Sequence, residues 1–370
     1  MTPNPVIPEY DERCVSRLVP SLLGFDDRSW LPEPARNPRT VVLFILDGFG
    51  WELYERHRSA LPNIDGFVGD PITTVVPSTT AAVLTSIATG VAPAAHGILG
   101  FRMRMDDEIL NTLRWTTDSG ASAPDPLRVQ RFTPFLQREV PVITQAEHER
   151  TAFTEAHLRG SRFCGWTSLP ELVDLIVREA MNAGPLVYAY YPKIDSAVHD
   201  AGLDSDVLMA ELARVDEAIG VLRRALPEDV AILISADHGG VHVGPDGWRD
   251  SLNFDGLVAR QAGEGRFRYV FARDGAIDEL AAVARAQYGD EAWVRTRDEA
   301  FAEGWFGPGD TPSTRRRVGD VIIAPFADVA YLDPGWTRER RLVGLHGSLT
   351  AAEMYVPCIA ARGEASRAER

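Results

Sequence analysis

The sequence has few cysteines and no long apolar segment, and both absences narrow the class of protein. The chain of 370 residues contains three cysteines, Cys14, Cys164 and Cys358, which are odd in number and far apart. This usage favours buried free thiols in a reducing compartment over a disulfide scaffold. No stretch reaches the ~18 apolar residues that span a bilayer, and the N-terminus lacks the basic start and apolar core of a signal peptide. We therefore expect a cytoplasmic protein without a membrane-bound part.

Positive charge is also scarce. Lys193 is the only lysine, and the formal net charge is -15. A nucleic-acid polymer or an anionic membrane is held mainly by clustered Lys and Arg, so we expect neither as a partner. An anionic small molecule would need a local positive site, which bound metal ions can provide. The oligomeric state cannot be read from the sequence.

What the sequence does contain is the pattern of a parallel α/β sheet. Runs at 41–46, 186–191 and 231–235 are apolar at nearly every position, as expected of strands covered on both faces. An amphipathic stretch at 204–226 separates the last two, and this spacing is typical of right-handed parallel crossovers. The same reasoning predicts three shorter elements: a helix at 51–57, a strand at 72–76, and a helix at 81–89 that Gly90 ends.

These elements suit one large catalytic domain at 38–360. Residues 1–37 are rich in proline and weakly patterned, and we interpret them as an N-terminal arm laid over this domain. Glycine, proline and serine interrupt the rhythm at about 102–163, and a second irregular region at 241–313 contains its own strand–helix–strand pattern. We interpret both as inserted cap segments. Residues 361–370 form a polar tail.

Carboxylates and histidines lie just after the three predicted strands: Asp47 after the first, Asp195 after the second, and Asp237 with His238 after the third. The carboxyl ends of parallel strands meet at one edge of a sheet, which is where such sheets bind ligands. Each residue alone has an ordinary interpretation, because Asp47 and Asp237 also suit helix caps or turns. Their shared position favours a functional site.

Two further histidines extend this group. Asp195 and His199 are four residues apart, so a helical turn would place both on one face, where they could share a metal ion. The alternative is a solvated pair. His346, in Leu-His-Gly near the C-terminus, is either a ligand on a loop or a core histidine. His242 and His96 compete with it, and His96 ranks lower because the following glycine suits a helix end.

Thr80 opens the predicted helix at 81–89. A helix N-terminus offers unpaired N–H groups and partial positive charge, which stabilise a phosphoryl group. The alternative is that Ser78, Thr79 or Thr80 merely caps the helix. A threonine hydroxyl is a poor nucleophile at neutral pH unless a base or metal ion removes its proton. Nitrogen and oxygen ligands such as those above suit Zn, and Mn or Fe can occupy the same kind of site.

Together these motifs resemble the alkaline phosphatase superfamily, most closely its nucleotide pyrophosphatase/phosphodiesterase branch. The resemblance rests on the order and spacing of six segments: Leu46-Asp47-Gly48, 77–80, 92–98, 195–199, 236–239 and Leu345-His346-Gly347. It implies an αβα sandwich with a mostly parallel central sheet and two divalent metal ions, with Zn favoured. It also implies hydrolysis of phosphodiester or pyrophosphate bonds in a small-molecule phosphate ester or nucleotide.

The resemblance gives each residue a role by position. Thr80 would be the nucleophile and would form a phosphothreonine intermediate. One metal ion would be held by Asp47, Thr80, Asp237 and His238, and the other by Asp195, His199 and His346. One position departs from the family pattern: the branch usually has an Asn three residues after the nucleophile, where it contacts a phosphoryl oxygen, and this sequence has Val83. Lys193, Arg102 or Arg104 could contact that oxygen instead, unless these side chains are solvated or salt-paired.

Two other functions stay open from the sequence. A phosphomonoesterase or phosphonate hydrolase could use the same scaffold, but a monoester dianion needs an extra cation, whereas a diester needs room for a second substituent. A non-catalytic metal-binding protein is the third hypothesis, although such a protein would be expected to have lost at least one ligand. The sulfatase branch is disfavoured because no cysteine lies near Thr80.

Overall fold

The computed structural model describes residues 2–250, 252–254, 256–333 and 335–365. The strands in that part of the chain are β1 (Thr40–Leu46), β2 (Val68–Thr73), β3 (Arg102–Met105), β4 (Glu108–Asn111), β5 (Thr116–Thr117), β6 (Pro141–Gln145), β7 (Arg162–Trp166), β8 (Leu186–Tyr191), β9 (Val230–Ser235), β10 (Val241–His242), β11 (Trp248–Arg249), β12 (Val258–Glu264), β13 (Phe267–Ala272), β14 (Ala292–Thr296), β15 (Val321–Pro325), β16 (Ala330–Tyr331), β17 (Gly344–Leu345) and β18 (Tyr355–Arg362).

The α-helices in the same part of the chain are α1 (Leu18–Leu22), α2 (Glu33–Arg36), α3 (Trp51–His57), α4 (Thr80–Thr89), α5 (Pro93–His96), α6 (Pro126–Val129), α7 (Ala152–Leu158), α8 (Leu169–Asn182), α9 (Lys193–Ala201), α10 (Asp206–Ala225), α11 (Gly244–Gly247), α12 (Ile277–Tyr288), α13 (Arg297–Ala302), α14 (Pro312–Arg315) and α15 (Ala351–Met354). The predicted polar tail overlaps the end of β18, and its residues 366–370 lie outside the described residues.

A seven-stranded sheet in the order β2-β18-β9-β1-β8-β6-β7 forms the centre of the protein. β1 is parallel to β8 and β9, and β6 is parallel to β7 and β8. β18 is antiparallel to both of its neighbours, and the remaining six strands of this sheet all run in one direction. All residues of β1, β8 and β9 are buried, which requires cover on both faces. The predicted α/β class with a mostly parallel central sheet is therefore confirmed.

Most of the predicted elements agree with this sheet. The helix at 51–57 is α3, the strand at 186–191 is β8, and the helix at 204–226 contains α10. The strand predicted at 72–76 is displaced, because β2 covers Val68–Thr73. Its partner β18 begins at Tyr355, opposite Thr73, so the ladder between these strands ends at that residue.

The first predicted insertion differs from the structure in its extent. β6 and the start of β7 fall inside 102–163, yet both strands belong to the central sheet. Short strands after a segment rich in glycine and proline cannot be distinguished from a loop by composition. Only the three-stranded sheet β3-β4-β5 within this segment is separate from the central sheet.

The other two predicted boundaries also need adjustment. The second irregular region builds a four-stranded sheet, β12-β13-β15-β14, and β15 extends this unit beyond residue 313. The N-terminal arm contributes to the main core, because Cys14, Leu18 and Val19 are fully buried there. Its apolar residues were too irregularly spaced to show a periodic pattern.

Two expectations from the sequence concern the cysteines and membrane-spanning helices. All three cysteines are buried and free. Among the described residues, no helix combines the length and apolar character needed to cross a membrane. The cytoplasmic location stays a prediction.

A buried ion pair joins the second sheet to the end of the central one. Arg266, in the turn between β12 and β13, contacts Glu353 of α15 through two N–O distances of 2.7 and 2.9 Å, and both side chains are fully buried. Arg266 also donates to three backbone carbonyls, those of Pro325, Ala327 and Val329. The carboxylate of Glu353 accepts the N–H of Ser348. The pair therefore holds the loop that contains His346.

Replacing Glu353 with methionine should destabilise the protein by about 3–5 kcal/mol, because Arg266 would keep a buried and uncompensated charge. The midpoint of urea unfolding measures this loss. The control is the double variant Arg266→Met/Glu353→Met, which removes both charges and should be more stable than Glu353→Met alone. Equal midpoints for the two variants would contradict the expected role of the unpaired charge.

Candidate active site

The carboxyl ends of three adjacent strands bring the predicted acidic residues together. Asp47 directly follows β1, Asp237 follows β9 after one residue, and Asp195 lies in the first turn of α9, which follows β8. Backbone hydrogen bonds fix this edge: the N–H of Asp47 donates to Tyr191 at 3.0 Å, and the N–H of Asp195 donates to the carbonyl of Asp47 at 3.0 Å. The strand order β9-β1-β8 is what makes the three carboxylates neighbours.

Asp47, Asp237 and His238 form the first group of side chains that could hold a metal ion. Nε2 of His238 lies 3.5 Å from Oδ1 of Asp47 and 3.4 Å from Oδ2 of Asp237. Neither of these carboxylate oxygens has a hydrogen-bond partner, although both are buried. An unpartnered buried carboxylate oxygen is costly, and two of them directed at one imidazole nitrogen fit a bound cation.

The remaining oxygens of this group are occupied. Oδ1 of Asp237 accepts the backbone N–H groups of Gly48 and His238 at 3.1 and 3.0 Å. Oδ2 of Asp47 accepts the hydroxyl of Tyr190 on β8. Each carboxylate therefore has one oxygen held by the protein and one left for a ligand, which is the arrangement that orients ligating carboxylates at metal sites.

Asp195, His199 and His346 lie together beside the first group. Nε2 of His199 is 3.1 Å from Oδ2 of Asp195, and Nε2 of His346 is 4.0 Å from its Oδ1. The ring of His346 stacks on that of His238 with centroids 3.5 Å apart. Asp195, His238 and His346 can therefore also share an ion, so His238 belongs to both groups of possible ligands.

The three histidines have the same orientation. Nδ1 of each lies near a backbone carbonyl: His199 near Gly344 at 2.7 Å, His238 near Gly239 at 3.0 Å and His346 near Ser78 at 2.8 Å. When Nδ1 carries the proton and donates to that carbonyl, the lone pair of Nε2 points into the site. This is how ligating histidines are commonly held.

Thr80 is the first residue of α4, and its hydroxyl lies 3.3 Å from Nε2 of His238. The other two hydroxyls of this turn have partners elsewhere, since Thr79 donates to Glu264 and Ser78 donates to the carbonyl of Ser348. No side chain caps the helix at Thr79. The capping alternative is therefore not what the structure contains, and the first N–H groups of α4 stay free for a ligand.

The charges of this site act on one another strongly. Burial, together with the charges of Asp237 and Asp195, raises the pKa of Asp47 well above its ordinary value. Burial also raises the pKa of Asp237. For Asp195 the effect of burial is outweighed by His199, so its pKa is lowered, and the same contact raises the pKa of His199 to about 9 despite burial. Burial lowers the pKa of His346.

A cavity of about 380 Å³ lies over this cluster. Its walls are largely apolar and include Phe101, Leu113 and Phe153, while Glu264 and Glu339 add carboxyl groups. The described residues that line it include no arginine or lysine. Positive charge that meets a phosphate there comes from a bound ion, from a helix terminus or from His199, whose pKa is raised.

The predicted substrate-binding cations are not at this cavity. Lys193 is exposed at the first residue of α9, and it is not among the described residues that line the cavity. Arg102 is buried and pairs with Asp118 and Asp333, because a buried guanidinium needs carboxylate partners. Asp333 is 231 residues away from Arg102 in sequence, so local sequence patterns could not predict this pairing. Nε of Arg104 donates to a carbonyl of its own loop.

The two competing histidines lie elsewhere. His96 ends α5 and contacts the hydroxyl of Ser86 at 2.8 Å, and burial lowers its pKa to about 3. His242 is exposed on β10. Two residues of the site were missed by the sequence reasoning: Tyr190, which resembles any aromatic residue of a buried strand, and Glu264, which precedes a turn and resembles a surface residue.

The sequence profile of the family described as type I phosphodiesterase/nucleotide pyrophosphatase matches residues 41–165 and 155–349. The chain belongs to this family, which makes it a hydrolase of the phosphodiesterase/nucleotide pyrophosphatase type. Members of the family generally use divalent metal ions. A comparison with curated protein sequences found no match.

Solved structures agree with this assignment at the level of the fold. Murine ectonucleotide pyrophosphatase/phosphodiesterase 5 is similar with a TM-score of 0.67, 17% identity and 89% of each chain covered. An inactive variant of that protein in complex with AMP gives 0.65, 16% and 87% of each chain. Phosphonoacetate hydrolase from Sinorhizobium meliloti 1021, in complex with phosphonoacetate, gives 0.61 and 18%, with 88% of this chain and 90% of the other covered.

Neutralising Asp237 should stabilise the metal-free protein. The folded-state pKa of Asp47 and Asp237 is raised, so their contribution to stability is present below the unfolded pKa of about 4 and is lost as pH rises through the folded pKa. At pH 8 with a chelator, Asp237→Asn should therefore have a higher melting temperature than wild type. The free energy of unfolding should rise by about 1.4 kcal/mol for each unit of pKa shift that the substitution removes.

Added Zn should reverse this order, because the variant lacks a ligand oxygen. The matched control is Asp70→Asn, which changes an exposed aspartate and should leave both melting temperatures unchanged. If Asp237→Asn melted below wild type in the chelator, the proposed repulsion among these carboxylates would be ruled out.

Proposed function

We propose that this protein is a metal-dependent hydrolase of phosphodiester or pyrophosphate bonds that uses Thr80 as its nucleophile. One observation carries the proposal: Thr80 is the first residue of α4, and its hydroxyl lies 3.3 Å from Nε2 of His238. His238 belongs to both of the overlapping groups of carboxylates and imidazoles. Family membership gives the reaction class, and this arrangement supports the assignment of Thr80 as the nucleophile.

Two divalent ions fit the donor atoms of this site. Asp47, Asp237 and His238, with Thr80, would hold one ion, and Asp195, His199 and His346 would hold the other. The unpartnered carboxylate oxygens and the inward Nε2 atoms are N/O ligands, which suit Zn, with Mn or Fe as alternatives. Bound ions supply positive charge that lowers the pKa of the hydroxyl and stabilises the attacking and leaving oxygens.

The residues of the chain then have defined tasks. Oγ1 of Thr80 attacks phosphorus in line with the leaving group, the bond from phosphorus to the leaving oxygen breaks, and phosphothreonine forms. The free N–H groups in the first turn of α4 donate to phosphoryl oxygens. Water then attacks phosphorus, the bond from Oγ1 to phosphorus breaks, and the second product leaves as a phosphate monoester. A proton from the attacking water restores the hydroxyl of Thr80. The hydrogen bonds of Tyr190 and of the three Nδ1 atoms keep the ligands oriented throughout.

The cavity favours a diester over a monoester. A monoester dianion needs a cation beside the phosphate, and the described lining offers no arginine or lysine. Its volume of about 380 Å³ and its apolar walls suit a second substituent. A phosphomonoesterase or phosphonate hydrolase is the second candidate, and the fold similarity to phosphonoacetate hydrolase is the observation that favours it. The substrate in either case is a small-molecule phosphate compound.

Replacing Thr80 with alanine should lower the turnover of bis(p-nitrophenyl) phosphate by about a thousandfold or more, as expected for loss of a nucleophile. Metal content, measured by elemental mass spectrometry, should be retained, because the other ligands are intact. The control is Thr79→Val, which removes the neighbouring hydroxyl and should affect turnover far less. A fully active Thr80→Ala variant would leave Thr80 as a helix residue without a chemical role.

Wild-type protein loaded with Zn should hydrolyse bis(p-nitrophenyl) phosphate at least about tenfold faster than p-nitrophenyl phosphate, in kcat/KM, because the described lining adds no arginine or lysine for the extra charge of the dianion. Treatment with a chelator should abolish both activities, and added Zn should restore them. A ratio that favours the monoester would select the second candidate instead.

A further inference from the structure

Glu264 is a buried carboxyl group that the proposed mechanism does not use. It is the last residue of β12, its exposure is 8%, and it lines the cavity over the metal-ligand groups. Its Oε2 accepts the hydroxyl of Thr79 at 3.0 Å. Its Oε1 is buried and has no hydrogen-bond partner. A group of this kind is costly to leave unpaired, and the cavity is the space from which a partner can come.

The position of this carboxyl group places it beside the reacting centre. Thr79, its partner, directly precedes Thr80. On the other side, a Cβ added at Gly347 would lie 3.2 Å from Oε1 of Glu264, so the carboxyl group packs over the backbone next to His346. Glu264 is thus held between the residue before the proposed nucleophile and the residue after a proposed metal ligand.

No cation of the described chain neutralises Glu264. Arg266, two residues later, is fully engaged with Glu353 and three backbone carbonyls. Glu339 and Glu353 add negative charge near it, while the favourable charge of His199 is directed at Asp195. An ionised Glu264 repels a further anionic group, so an uncharged polar group is the favoured partner at this position.

A hydroxyl group is the substrate feature that satisfies Oε1. Burial and Glu339 raise the pKa of Glu264 well above its ordinary value, so the free enzyme can hold it protonated. A hydroxyl both donates and accepts, and it therefore pairs with a carboxylate and with a carboxylic acid alike. An ammonium group only donates, so it cannot accept from a protonated carboxyl group and pairs best with the carboxylate. The apolar walls at Phe101 and Phe153 accommodate the carbon skeleton that carries the hydroxyl.

We infer that Glu264 is a specificity-determining residue, which selects phosphodiesters whose second alcohol carries a free hydroxyl group near the phosphate. The substrate class is that of polyol or sugar phosphodiesters. This inference rests on the proposed function and narrows it.

Three probes with a common leaving group test the inference. They are the ethyl, hydroxyethyl and aminoethyl esters of p-nitrophenyl phosphate, and uncatalysed ring closure of the hydroxyethyl ester is subtracted with an enzyme-free blank. Zn-loaded wild type should prefer the hydroxyethyl ester over the ethyl ester by about tenfold in kcat/KM, the effect of one hydrogen bond to a buried polar group. Glu264→Leu should reduce this ratio to about one, as expected when that bond is lost.

Three further variants separate recognition from structure. Glu264→Gln retains a group that both donates and accepts and should keep a preference within about threefold of wild type. Thr79→Val removes the partner of Glu264 without removing its free oxygen and should keep the preference. Glu339→Gln is the matched control in the same cavity, since this carboxylate already accepts the N–H of Gly265 at 3.1 Å, and it should also keep the preference.

Each remaining outcome counts against the inference. A ratio unchanged in Glu264→Leu, with both esters slowed alike, would make Glu264 a positioning residue only. Preference for the aminoethyl ester would assign the site to an ammonium group. Loss of the preference in Thr79→Val would attribute it to the helix start.

A binding measurement keeps this test separate from that of the proposed function. If no diester is turned over by wild type, the proposed function fails, and calorimetry on the Zn-loaded Thr80→Ala protein still decides the role of Glu264. Hydroxyethyl phosphate should bind about tenfold more tightly than ethyl phosphate, and Glu264→Leu in the same background should remove the difference. Equal affinities in the Thr80→Ala protein would overturn the inference.

Discussion

The concentration of buried negative charge at one edge of the central sheet is the constraint on which the site depends. Asp47, Asp195 and Asp237 meet there, and two of their oxygens have no partner in the described structure. The described residues that line the adjacent cavity include no lysine or arginine, and His199 is engaged with Asp195, so bound cations are the physical solution that this arrangement favours. The hydroxyl of Thr80 lies 3.3 Å from Nε2 of His238 in the same cluster.

The scaffold keeps that repulsive cluster in place. Each carboxylate of the first group is held by one oxygen, and each histidine is held through Nδ1, so the side chains do not need to reorganise when a ligand arrives. The buried pair of Arg266 and Glu353 secures the His346 loop from the second sheet. Such a site trades local stability for orientation, a common property of active sites.

Family membership sets the reaction class, whereas the cavity sets which molecules are hydrolysed. Most of the proposed metal ligands follow strands of the central sheet, and His346 follows β17 of a separate two-stranded sheet. Most of the groups that would meet the substrate come from other segments. Phe101 and Leu113 lie in or beside the small sheet β3-β4-β5, and Glu264 belongs to the second sheet. Variation in these segments can change the substrate without moving the reacting groups.

The sequence alone determined the parallel sheet and the residues at its edge. Uninterrupted apolar strands and the polar residues that follow them are local patterns, and parallel strands place Asp47, Asp195 and Asp237 at one edge of the sheet. The strand order β9-β1-β8, which makes them neighbours, belongs to the tertiary structure. The tertiary structure decided what depends on contacts between distant segments: the pairing of Arg102 with Asp333, the inclusion of β6 in the central sheet, and the burial of Glu264 beside Thr79. A charged side chain has the same local pattern whether it faces water, a partner or a ligand, so its role appears only when its neighbours are known.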